Sequence, residues 1–239
     1  MVRLMEINVV RSADSTAQCY NVELENVTLL TVLNHIKTKI DPSLTYSHGC
    51  RSGVCGSCAV RVNGREVLMC EYKPVNGDTV EPIRNSRVIR DLVVDSSAIE
   101  RFNTTAKAWS EDSLEGNISD EEAHRIETQS DCILCASCYS ACPVYAVNPD
   151  FIGPFALTRV WRYVNDLRET SSAIKIAAIQ TNGIWDCTLC GECVPVCPQN
   201  IAPKQDITML RMKSSMLGYQ DPNAGMAFGG GLDFGTPMF

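Results

Sequence analysis

The chain has 239 residues, 45% of them hydrophobic and 21% charged, with a formal net charge of −7. That length allows two modest domains with separate cores, and the negative charge excludes a general nucleic-acid or anionic-membrane surface. No uncharged apolar run reaches the roughly 18 residues of a membrane-crossing helix, and the opening MVRLMEINVVR alternates like a strand instead of showing a signal peptide's apolar core and cleavage site.

In chain order, EINVV and YNVEL alternate as strands do. Cys19 falls just before the second and reads as a small buried hydrophobe. TLLTVLNHIKTKIDP then places Leu29, Leu30, Val32, Leu33, Ile36 and Ile40 at helical spacing, with Thr28 as the cap and Asp41-Pro42 as the stop. AVRV and EVLM flank the Asn-Gly of VNGRE, the signature of a tight hairpin. Strands wrapped around one helix predict a β-grasp arrangement.

After about Ser97 the strand signals fade. Ser119 with Glu122 three residues on forms a capping-box pattern. Further helices are expected at 154–169, 171–180 and 203–217. The last stretch, 218–239, holds six glycines and two charged side chains. It reads as a disordered tail, or as an extended segment anchored on a partner by Phe228, Phe234 and Phe239. The fold class is therefore α+β, with a β-grasp domain at 1–97, a mainly helical domain at 98–217 and the tail at 218–239.

Thirteen cysteines exceed what packing needs, and twelve fall in three compact groups. With no export signal the thiols stay reduced, which leaves metal binding as the economical explanation. Cys50, Cys55, Cys58 and Cys70 open with C-x4-C-x2-C, the plant-type ferredoxin spacing for a [2Fe–2S] cluster. A tight loop must wrap such a cluster with its amides aimed at sulfur, and Gly49, Gly53 and Gly56 permit the backbone angles this requires. Structural zinc favours paired C-x2-C motifs instead.

Cys132, Cys135, Cys138 and Cys142-Pro143 repeat as Cys187, Cys190, Cys193 and Cys197-Pro198, and both runs follow the bacterial ferredoxin pattern for [4Fe–4S]. In that pattern the fourth cysteine of each run serves the other cluster. One set is thus Cys132, Cys135, Cys138 and Cys197; the other is Cys142, Cys187, Cys190 and Cys193.

Three clusters form a wire that needs something at each end. No dinucleotide fingerprint or P-loop is present, and no nucleophile-and-base pair is visible. His35 and His124 read as solvated, and His48, beside the first cysteine loop, reads as structural. Substrate chemistry falls to another subunit, so no catalytic residue is expected here.

A plant-type domain followed by a bacterial ferredoxin-like domain resembles the iron–sulfur subunit of succinate dehydrogenases and fumarate reductases. The residues that carry the resemblance are CRSGVCGSC with VNGRE and Cys70, then DCILCASCYSACP, NPDFIGP and CVPVCP, and it spans about residues 1–217. The resemblance implies a flavoprotein partner with covalent FAD that interconverts succinate and fumarate. It also implies electron flow from FAD through the [2Fe–2S], Cys132 and Cys187 clusters toward a quinone. Location would be peripheral, on the cytoplasmic face of the cytoplasmic membrane.

Well-studied members carry a non-cysteine residue where this chain has Cys190, and their last cluster is [3Fe–4S]. The extra thiolate predicts [4Fe–4S] here. PVYAV after Cys142 lacks a tryptophan that helps bind quinone in many members, and Thr188 replaces a frequent histidine, which argues against a quinone pocket on this subunit. The eight-cysteine pattern resembles a branch whose partners carry cysteine-rich CCG domains. Here that domain, or a membrane anchor, would be a separate subunit. The alternative reading is a thiol- or disulfide-coupled fumarate reductase; a free-standing polyferredoxin is a third. A plant-type cluster near about −400 mV is a poor acceptor from succinate, so amide bonds and burial must raise it, with Arg51 as a charge contributor.

Overall fold

The computed structural model describes residues 4–11, 16–110 and 117–222. The tail anchors Phe228, Phe234 and Phe239 lie outside these described residues.

The N-terminal half builds a five-stranded sheet of order β2-β1-β5-β3-β4 from β1 (Met5–Arg11), β2 (Thr16–Val22), β3 (Ala59–Val62), β4 (Arg65–Leu68) and β5 (Asp78–Glu81). β1 pairs antiparallel with β2 but parallel with β5. A parallel pair needs a long crossover, and helix α1 (Leu29–His35) lies within it. Ile7, Val9, Tyr20, Leu29, Leu33, Val60 and Val80 close the core between helix and sheet. Fully burying a side chain of this kind contributes about 1.5–3 kcal/mol. This is the β-grasp arrangement the alternation predicts.

The hairpin between β3 and β4 turns on Asn63 and Gly64, both at positive φ (50° and 85°). That is the backbone a two-residue hairpin of matching twist needs. Asn63 also ties the turn to β5, donating to Asp78 Oδ1 at 2.7 Å and accepting from Thr79 N–H at 2.9 Å.

Three local expectations need correction. The predicted helix over 29–40 is α-helical only to His35; Ile36–Ile40 widen into a π turn, with Asp41 N–H bonding Ile36 C=O at 2.8 Å. Thr38 Oγ1 donates back to Asn34 C=O at 2.8 Å, loosening the same turn. Cys19 is exposed rather than buried, because β2 is an edge strand whose outer positions face away from the core. His35 is half-buried rather than solvated.

A small ribbon, β6 (Val88–Arg90) with β7 (Val93–Val94), leads into α2 (Ser97–Thr105). The second half is helical: α3 (Asp120–Ser130), α4 (Ser137–Ala141), α5 (Pro154–Val164), α6 (Ser172–Ala178) and α7 (Pro203–Met216). Phe102 of α2 joins Tyr139, Tyr145, Phe151, Phe155, Ile207 and Leu210 in a core separate from that of the sheet. α5 ends at Val164, short of the predicted 169. Asp166 captures the N–H of Arg168 at 3.1 Å and its guanidinium at 2.8 Å, which fixes a turn instead.

The two halves are stitched directly. Tyr139 OH donates to Asn85 C=O at 2.5 Å, and Asn85 Nδ2 donates to Tyr139 C=O at 2.7 Å. Ser140 Oγ accepts from Arg84 N–H at 2.8 Å and donates to Glu66 at 2.7 Å.

Candidate iron–sulfur centres

All thirteen cysteines are free thiols, so none is consumed in a disulfide. Twelve of them lie in or beside loops whose backbone turns amides toward sulfur.

The first loop runs between the π turn and β3. Ser52 and Val54 N–H both donate to Cys50 Sγ at 3.4 Å, Cys50 N–H donates to Cys55 Sγ at 3.3 Å, and Gly53 N–H donates to Cys70 Sγ at 3.3 Å. These bonds favour thiolate over thiol. The Ser52 amide, then its hydroxyl and the Val54 amide, pull the Cys50 thiol down to about 6. Burial pushes Cys58 the other way, to about 12. Cys58 and Cys70 are buried under the hairpin, 3.4 Å apart at sulfur, while Cys50 and Cys55 face solvent beside the 64%-exposed Val54. His48 is exposed and its ring rests against Tyr46, 5.8 Å between centroids.

The sequence repeat is also a backbone repeat. Leu134 and Leu189 take φ of 54° and 55°, and Ala136 and Gly191 take 60° and 90°, each pair at the same place in its run. The turn at Leu189 lets its N–H bond Cys187 Sγ at 3.4 Å, and the Leu134 amide serves Cys132 in the same way. The runs then diverge. Cys138 sits inside α4, whereas Cys193 lies in a chain of turns before α7.

Cys132, Cys135, Cys138 and Cys197 line one cavity, roofed by Phe155, Thr158 and Pro198. Burial raises the thiols of Cys132, Cys135 and Cys138, and the charges of the neighbouring cysteines, Cys197 among them, add to it. Cys142 is raised to about 11 by burial, with Cys187 and Cys190 close enough to contribute. Cys193 is raised to about 12 by burial, with Cys187 and Cys142 contributing. The fourth cysteine of each run therefore stands among the first three of the other. Each set offers four thiol sulfurs, the donors that iron–sulfur clusters take. The donor chemistry fits iron–sulfur clusters.

The loops are also brought together. A Cβ on Gly56 would stand 2.7 Å from Ile133 O and 2.8 Å from Cys135 Cα. Only glycine allows the first cysteine loop to lie this close to the second. Gln199 Nε2 adds a bond to Gly53 C=O at 3.1 Å, and Arg65 reaches Pro195 C=O at 3.1 Å.

Sequence reasoning missed the side chains around the distal set. Arg211 of α7 donates to the carbonyls of Ile184 (2.8 Å), Trp185 (3.2 Å) and Cys187 (2.6 Å), and Lys204 lies against Gly191. No motif marks them, because their partners are backbone.

Comparison with known proteins agrees with this architecture. Residues 2–101 match the family described as 2Fe-2S iron-sulfur cluster binding domain, and residues 128–201 match the 4Fe-4S dicluster domain. The fumarate reductase iron-sulfur subunit of Mycobacterium tuberculosis is 36% identical over 214 residues, covering 84% of this chain and 86% of that one. The chain belongs to the iron–sulfur subunits of fumarate reductases and succinate dehydrogenases.

Among other members, the 8-methylmenaquinol:fumarate reductase iron-sulfur subunit of Wolinella succinogenes is 39% identical over 212 residues, covering 82% of this chain and 66% of the relative. The chain thus spans about two thirds of that relative's length. The mitochondrial succinate dehydrogenase iron-sulfur subunit 2 of Oryza sativa subsp. japonica is 32% identical over 213 residues, covering 81% and 68% respectively. A chain of the Mycobacterium smegmatis Sdh1 complex in the apo form shares the fold, with a TM-score of 0.80 and 24% identity over 92% of this chain and 99% of that one. As an iron–sulfur subunit of this family the protein carries [2Fe–2S] and [4Fe–4S] clusters and transfers electrons.

Proposed function

We propose that this subunit relays electrons between the FAD of a flavoprotein partner, the site of succinate–fumarate interconversion, and a quinone-linked acceptor. The [2Fe–2S] ligands are Cys50, Cys55, Cys58 and Cys70; the middle [4Fe–4S] ligands are Cys132, Cys135, Cys138 and Cys197; the distal [4Fe–4S] ligands are Cys142, Cys187, Cys190 and Cys193. The single observation that carries the reading is the exchange of Cys142 and Cys197 between runs, with Gly56 seated against Cys135. It places the first thiol set beside the second and the second beside the third.

When bound, the clusters supply one-electron redox chemistry; the chain's own task is to hold them close and shield them. The flavoprotein meets the face around Cys50, Val54 and Cys55, where the first loop is exposed. The far end, at exposed Cys190, faces an anchor or CCG-type subunit. Among the described residues no helix is long and apolar enough to cross a membrane, and we place the complex peripherally on the cytoplasmic face. The domain boundary falls near residue 97, since α2 packs its Phe102 in the helical core.

The test is EPR of the purified complex, as isolated without air and after dithionite, for the native chain and Cys190→Ser. The native sample should be silent when oxidised and show one [2Fe–2S] and two interacting [4Fe–4S] centres when reduced. C190S should gain an oxidised [3Fe–4S] signal. A native [3Fe–4S] signal that survives iron and sulfide repair removes Cys190 from the ligand set.

A further inference from the structure

Two cations of α7 face the distal thiol set, and no carboxylate among the described ion pairs neutralises either. Lys204 lies along the Cys190–Cys193 loop. Its Nζ is 3.8 Å from where a Gly191 Cβ would stand, and its backbone N–H serves the Cys193 thiol. Arg211 is half-buried, grips the carbonyls of Ile184, Trp185 and Cys187, and stands over the Trp185 ring at 5.5 Å. Its Nε and Nη2 bonds go to backbone carbonyls and it pairs with no carboxylate among the described residues, so its charge is left to act on the sulfurs. Arg211 thus touches the Cys187 end of the distal set, and Lys204 its Gly191 end.

The other two sets are surrounded differently. At the middle set the charge of Arg159 acts on Cys132. At the first set the Glu71 carboxylate fills the space where a Gly53 Cβ would be, beside the N–H that bonds Cys70 Sγ.

We infer that Lys204 and Arg211 form a cationic bracket that raises the reduction potential of the distal cluster. The physical need comes from the thiolates. Four of them around an oxidised [4Fe–4S] core leave the set already negative, and reduction adds one charge more. Two cations beside the set, with no carboxylate partner among the described ion pairs, favour the reduced form, and the partial burial of Arg211 lessens the screening of its share. Lys204, being exposed, acts through water and is screened by salt. The bracket biases the line so that an electron entering at the first set rests at the last. This inference depends on the assignment of Cys142, Cys187, Cys190 and Cys193 to the distal cluster.

The experiment is a potentiometric EPR titration of the intact complex, comparing native protein with Lys204→Gln, Arg211→Gln and Arg211→Lys, with iron and sulfide assayed in each sample. K204Q should lower the reduced fraction of the distal centre about threefold at fixed ambient potential, an effect that shrinks in high salt. R211Q should lower it about tenfold, which is ~59 mV for one electron. R211K keeps the charge while losing the fork, and should return most of the shift. The [2Fe–2S] potential should not move. Distal potentials of K204Q and R211Q that coincide with the native value, at full iron content, overturn the bracket. K204Q alone decides the matter if R211Q fails to assemble, because Lys204 makes no side-chain hydrogen bond among the described residues that holds the fold together. If the native complex lacks a distal [4Fe–4S] centre, iron analysis and the oxidised spectrum show that first, and the ligand assignment falls before the bracket is tried.

Discussion

Asp206 is a carboxylate in a place made for a neutral group. It is 3% exposed on α7 and, among the described residues, its side chain accepts two hydrogen bonds, from Thr158 Oγ1 at 2.8 Å and Gln129 Nε2 at 2.9 Å. Burial raises its pKa to about 6, against the pull of those two donors. In the unfolded chain an aspartate titrates near about 3.9. Between these values the folded protein holds a proton that the unfolded one has lost. Stability from this group is therefore complete below the lower value and is lost as pH rises to about 6, by about 2–3 kcal/mol at most. Asp206→Asn should remove that slope, since its amide can meet both partners. Melting temperatures of the loaded protein from pH 4 to 7 should then fall less for the variant, with D206N the more stable above pH 6. Parallel curves for the two proteins would count against a raised pKa.

The same residue scale shows what sequence can and cannot reveal. The thiol sets are legible because iron–sulfur ligation imposes short, fixed intervals between cysteines, and those intervals survive folding unchanged. Asp206 is invisible: in PKQDITML it is one polar position on a helix, and its burial is set by Thr158 and Gln129 from elsewhere in the chain. Cys19 misleads for a related reason. Alternation marks two faces of a strand, but which face meets the core depends on where β2 sits in the sheet. Lys204 and Arg211 carry no motif because they bond to or lie along backbone.

At the scale of elements, short-range chemistry decides the outcomes that sequence predicts correctly. α3 begins where Ser119 Oγ accepts from Glu122 N–H at 3.3 Å and Glu122 accepts from Ser119 N–H at 2.7 Å. The helix buries only Ile126, so this box carries an unusual share of its stability. Ser119→Ala should cost about 1 kcal/mol, felt locally. Hydrogen exchange at the amides of 120–123 should quicken several-fold, while α5 amides stay protected; unchanged exchange in α3 would show that contact with α5 alone holds it. Where an element departs from its predicted span, a local competitor intervenes. Asp166 with Arg168 stops α5, and Thr38 with Asn34 opens the end of α1. Hydrophobic spacing runs on through both places, so it has no means of marking them.

At the scale of the molecule, the two domains work only as one body, and the seam is where that is decided. Gly56 lies at φ 70° with Ile133 O, Cys135 Cα and Cys135 Cβ 2.7–2.9 Å from the place a Cβ would take. Those neighbours are backbone and a cluster-loop cysteine, so none can swing aside as a flexible side chain would. Gly56→Ala must instead push the loops apart, against the bonds from Gln199 to Gly53 and from Arg65 to Pro195. Both domains keep their separate cores, so the complex should still assemble with full iron. What changes is the distance between the first and second thiol sets. The magnetic interaction between the two reduced centres should weaken, seen as slower spin relaxation of the [2Fe–2S] signal, and electron passage across the seam should slow in step. Gly53→Ala is the informative companion. Its Cβ would strike the Glu71 side chain, which can rotate away, although its φ of 74° still strains the loop. G53A should therefore lose stability yet keep the native relaxation rate. If G56A also keeps it, the close approach at Cys135 is not what couples the two domains, and the route between the first two sets must be sought along Gln199.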